Sequence, residues 1–107
     1  MQTLVTVVAK PGVSLRDVIV NDPKLSDFDL YVESKKDPQR SHGWAKLYSP
    51  TAYGAINVQW LGNSNLLLCR VVTKGSSTKS ATIIGHLTEY LLTRQHRRLL
   101  QLHISRV

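Results

Sequence analysis

Between Leu4 and Ala9 the chain reads LVTVVA, β-branched and apolar on both faces of an extended segment, and Lys10-Pro11-Gly12 ends the run. That pattern predicts a strand inside a sheet rather than at its edge. Ser14 stands where it would cap a short helix over LRDVIV, which Asn21-Asp22-Pro23 must stop because the residue before proline is pushed out of the α region. The VIV triplet would suit a strand equally well. Phe28, Leu30 and Val32 alternate with Asp29, Tyr31 and Glu33, the period-two pattern of a half-buried strand. ESKKDPQRSHG, residues 33–43, carries almost no apolar side chain and reads as the longest loop and the most mobile segment.

Trp44–Tyr48 (WAKLY) and Tyr53–Trp60 (YGAINVQW) read as two strands joined by the turn Ser49-Pro50-Thr51. Leu61-Gly62-Asn63-Ser64-Asn65 then turns the chain into LLLCRVVTK, residues 66–74, the clearest hairpin. After a loop at residues 75–79, Ser80 is placed to cap a helix from about Ala81 to about Gln95 or Arg97. On that helix Ile83, Ile84, Leu87, Tyr90 and Leu91 gather on one side, the mark of packing against a sheet. Leu99–Ile104 closes the chain as a strand with Leu100, Leu102 and Ile104 inward. The predicted fold is a single α+β domain over residues 1–107. Its mainly antiparallel sheet of about five to six strands carries one long C-terminal helix, about 81–96, on one face, before a final strand.

Composition agrees with one globular domain: 107 residues support one core, and 42% hydrophobic with 20% charged residues argues against wholesale disorder. The single cysteine, Cys69, lies in an apolar run without an intrachain partner, as in a small core residue of a reducing, cytoplasmic protein. The N-terminus lacks the features of a leader, and no apolar run is long enough to span a membrane, so no membrane partner is expected.

The net charge of +7 is unevenly distributed. Up to residue 40, Lys10, Arg16, Lys24, Lys35, Lys36 and Arg40 cancel Asp17, Asp22, Asp27, Asp29, Glu33 and Asp37. Beyond it, Lys46, Arg70, Lys74, Lys79, Arg94, Arg97, Arg98 and Arg106 face only Glu89. Such asymmetry points to an anionic partner, unless the early acids fold over the later bases.

The pleat says where those bases belong. If Ile56, Val58 and Trp60 face the helix with Leu67, Cys69 and Val71, the opposite face carries Asn57, Gln59, Arg70 and Lys74, joined by Trp44, Lys46 and Tyr48 if the neighbouring register matches. Aromatic rings among cations and amides are what a single strand of DNA or RNA needs, since bases stack on rings while cations track phosphates. The expected nucleic-acid site is therefore Trp44, Lys46, Tyr48, Arg70, Lys74, Lys79, Arg94, Arg97 and Arg98, in a non-enzymatic module. A slip of one residue would exchange the faces. The alternative is an assembly subunit that docks an acidic protein or forms a homodimer.

Other motifs are weaker. KGSSTKSA, residues 74–81, resembles a phosphate loop only at Lys79-Ser80, because Thr73 and Thr78 stand where that loop needs glycine. His42, His86, His96 and His103 show no metal spacing, and neither metal nor cofactor is expected. A metal-independent nuclease would use His42 with His103 as the least implausible pair. Gly85, inside the long helix, suggests close approach of another backbone.

Overall fold

The computed structural model describes residues 2–73 and 77–106, without the side chains of residues 77–79. Its strands are β1 (Gln2–Ala9), β2 (Tyr31–Ser34), β3 (Trp44–Ser49), β4 (Gly54–Leu61), β5 (Leu66–Thr73) and β6 (Leu99–Arg106). They form one six-stranded sheet in the order β2-β3-β4-β5-β1-β6, antiparallel at every pairing. β1 is interior, as its two-faced apolar run requires.

Helix α1 (Leu15–Val20) forms where its cap predicts: the Ser14 hydroxyl accepts from the Asp17 amide at 3.2 Å, and the chain leaves the helix at Asn21. Helix α2 spans Ser77–Arg94 and starts earlier than expected. Ser80 therefore lies within it and shares a 2.7 Å hydrogen bond with the Thr73 hydroxyl instead of capping the helix. α1, α2 and a 3-10 turn at Leu25–Phe28 all lie against the same side of the sheet. Val5, Val7, Leu47, Ile56, Val58, Leu67, Cys69 and Val71 on the sheet meet Leu15, Ile19, Ile83, Leu87, Tyr90 and Leu91, all buried. Burial pushes the Cys69 thiol up to about 12, so it is an inert core group at neutral pH.

Three expectations about the strands change. The alternation at Phe28–Glu33 is not one strand: Phe28 ends the 3-10 turn and Asp29 adopts a left-handed conformation, φ 58°, before β2 begins at Tyr31. Aspartate tolerates that conformation better than most residues, and here its carboxylate accepts hydrogen bonds from the Ser49 and Thr51 hydroxyls and from the Thr51 amide at 3.3 Å. In β6, a register shift between Val8 and Ala9 opposite it turns Leu100 out of the alternation, leaving it 57% exposed. Ile104 shares the inward side with Val5 yet is 52% exposed, because the strand is the sheet's outer edge.

Gly85 is exposed, and a Cβ added there meets nothing within 4 Å, so close approach does not explain it. Gly85→Ala is expected to stabilise the fold by up to about 1 kcal/mol through helix propensity, read as a rise in melting temperature. Gly43→Ala should do the reverse. Its Cβ would collide with the Trp60 carbonyl, a backbone atom in the strand whose amide is held by the Gly43 carbonyl at 2.9 Å.

Candidate nucleic-acid interface

Because the described helical segments all lie on one side, the other side of the sheet carries no helix among the described residues, and pairing decides its content. Lys46 lies opposite Asn57, and Asn57 opposite Arg70, forming a polar row across β3, β4 and β5. The row on one side of it holds Tyr31, Tyr48, Ala55 and Val72; the row on the other holds Trp44, Gln59 and Leu68. The register therefore brings Trp44, Lys46, Tyr48 and Arg70 together on the uncovered face, with Asn57 and Gln59 between them.

Their environments differ. Tyr48 stacks on Tyr31 with ring centroids 5.5 Å apart, and each tyrosine remains 37% exposed. Lys46 donates to Glu33 at 2.9 Å, which offsets its charge. Arg70 is exposed and has no carboxylate partner among the described residues.

Trp44 is only 7% exposed despite its place on the bare face. The loop at residues 35–43 folds back over it, and the Arg40 guanidinium sits 5.5 Å from the ring centroid, within cation–π range. The loop is anchored rather than loose. Arg16 donates to the Trp44 carbonyl through Nε at 3.1 Å and Nη2 at 3.0 Å, and Nη2 also donates to the Lys35 carbonyl. Gln59 Nε2 reaches the Ser41 hydroxyl at 2.5 Å.

Between this loop and the strands runs a groove of about 460 Å³ lined by Arg40, Trp44, Asn57, Gln59, Leu68 and Arg70, with Gln2, Leu4 and Val72 beyond. Trp44 Nε1 is buried without a hydrogen-bond partner among the described residues. An unmet buried donor is costly, on the order of 1 to 3 kcal/mol.

The arginines around residue 96 do not join this face. Arg94 is bound to Asp22, through Nε at 3.2 Å and Nη2 at 3.0 Å. Asp22 also accepts from the Tyr90 hydroxyl at 2.8 Å, and Gln95 Nε2 donates to that hydroxyl at 3.0 Å. An early acid thus does fold over a late base here. Arg97 and Arg98 sit on a 3-10 turn after α2 and line a separate cleft of about 780 Å³ with Lys10, His96 and Pro11. Lys74 and the Lys79 side chain lie outside the described residues.

Nor does the fold bring His42 and His103 together. His103 is on the edge strand β6, opposite Thr6 and in contact with Gln101 at 3.1 Å, whereas His42 lies just before β3 and lines a cleft of the loop. β3 and β6 are four positions apart in the sheet order, about 19 Å at the usual strand spacing. Among the described residues, no group of His, Cys, Asp and Glu could hold a metal ion.

Arg40 and Tyr31 are the site residues that sequence reasoning missed. Tyr31 could have been found from its place beside Glu33 in the predicted alternation. Nothing in the polar, aperiodic run around Arg40 signals that it folds onto Trp44.

Burial alone would raise the Asp22 carboxyl's pKa, but the hydrogen bonds from Arg94, the Lys24 amide and Tyr90 together outweigh it and lower the value. A lowered folded-state value means stability that is present above the ordinary carboxylate range and lost as pH falls through the folded value. Asp22→Asn is therefore expected to melt well below the parent protein at pH 7. The gap in melting temperature should close as the pH falls below about 3.8.

Comparison of this chain with protein-family models, with curated proteins and with solved structures finds no match.

Proposed function

We propose that the protein binds single-stranded DNA or RNA across the uncovered face of its sheet and does no chemistry on it. The observation that carries this reading is the Lys46–Asn57–Arg70 row, with the tyrosine pair on one side of it and the Trp44 groove on the other. Bases would stack on the exposed tyrosines and on the Arg40 guanidinium, which offers a plane of its own. Arg70 would take phosphate. A single strand suits this surface better than a duplex, because its bases are free to lie flat on rings. No helix among the described residues is long and apolar enough to cross a membrane. Residence in the cytoplasm fits the unpaired, buried thiol of Cys69.

A second reading is homodimer formation through the same face. It is favoured by the half-buried Leu4, Leu68 and Val72, over which no helix or strand among the described residues lies.

Fluorescence anisotropy with labelled single- and double-stranded oligonucleotides, from about 50 to about 200 mM salt, separates the two readings. Single strands should bind more tightly than duplex, with affinity falling as salt rises. Arg70→Ala should lower the salt slope by about 0.7 to 1. Tyr48→Ala should weaken binding by about 1 to 3 kcal/mol without loss of fold. Absence of binding at the lowest salt would overturn the proposal, and a concentration-dependent dimer by sedimentation would then favour the second reading.

A further inference from the structure

The two edges of the sheet are unlike each other. β2 is four residues long, whereas β6 is eight. An edge strand turns alternate N–H and C=O groups outward, and proteins usually guard a long one with proline, lysine, a covering helix or inward charge. β6, LLQLHISR, has no proline or lysine, and its one full charge, Arg106, stands at its very end. Beside it, Ile104 and the flank of α2 bound an apolar groove of about 280 Å³, lined by Thr3, Ser80, Ala81, Ile84, Ile104 and Arg106. The exposed Leu100 and Ile104 lie along the strand, and a further strand would cover them.

Charge indicates which strand. Arg97 and Arg98 immediately precede β6 and Arg106 ends it, and none of the three has a carboxylate partner among the described residues. From Tyr90 to the end of the sequence there is no aspartate or glutamate. A second copy pairing antiparallel along this edge would bring Arg106 of one chain towards Arg97 and Arg98 of the other, setting like charges together at both ends.

We infer that the β6 edge receives an extended segment of an acidic partner protein, apolar at its centre and carrying carboxylates at both ends. The backbone ladder supplies the pairing, Ile104 and Ile84 receive alternate apolar side chains, and Arg97, Arg98 and Arg106 meet the acids. This contact uses the edge rather than the face, so it stands or falls apart from nucleic-acid binding.

The probe is a short end-blocked peptide of alternating valines with glutamate at both ends, compared with its lysine counterpart, in an NMR titration and amide-exchange measurement on the full chain. The glutamate peptide should protect backbone amides of β6 and bind at least about tenfold more tightly than the lysine peptide. Ile104→Asp, at a half-exposed position that the fold should tolerate, should weaken it by about tenfold or more. Arg98→Glu should weaken it as well while leaving the spectrum of the sheet intact. Equal binding of the two peptides, or protection elsewhere than β6, would overturn the inference. So would self-association by sedimentation that Ile104→Asp abolishes, since the occupant would then be a second copy.

Discussion

β3, β4 and β5 pair without a register shift, so the parity of a residue in these strands decides whether it meets the helices or the bare face. Odd positions on β3 and β5 and even ones on β4 carry the core. The others carry Lys46, Tyr48, Arg70, Asn57 and Gln59. The interface depends on that constraint, because a slip of β5 by one residue would bury Arg70 and expose Leu67, Cys69 and Val71. The burial of Leu67, Cys69 and Val71, all fully enclosed on one face, makes such a slip prohibitive.

Among the described residues, the excess of positive charge beyond residue 40 resolves into three fates. Lys46 and Arg94 are offset by Glu33 and Asp22, acids from the other part of the chain. Arg70 is left on the bare face. Arg97, Arg98 and Arg106 are left at the two ends of the last strand. A net charge reported for the whole chain conceals this division, and only spatial pairing reveals which bases have charge to spare.

Much of this was legible beforehand. The hairpin of residues 53–74 and the flanking strand 44–48 follow from alternation and turn residues, and with them the company kept by Trp44, Lys46, Tyr48 and Arg70. The interior place of β1 follows from apolar residues on both its faces. What was hidden depends on contacts distant in sequence. Asp29 breaks the alternation around it because Ser49 and Thr51, some twenty residues on, supply hydrogen bonds to its carboxylate. Arg94 leaves the basic cluster because Asp22, 72 residues earlier, lies within reach. Trp44 has the parity of an exposed ring but is covered by a loop whose path has no periodic signature.

That loop has one more consequence, which lies in Arg16. Its guanidinium holds the Trp44 carbonyl and the Lys35 carbonyl at once, from a helix whose other side is packed into the core. The conformational entropy of ordering the loop is thereby lost when the chain folds rather than when a ligand arrives. The wall of the groove is built in advance, and its affinity for any occupant inherits the stability of α1.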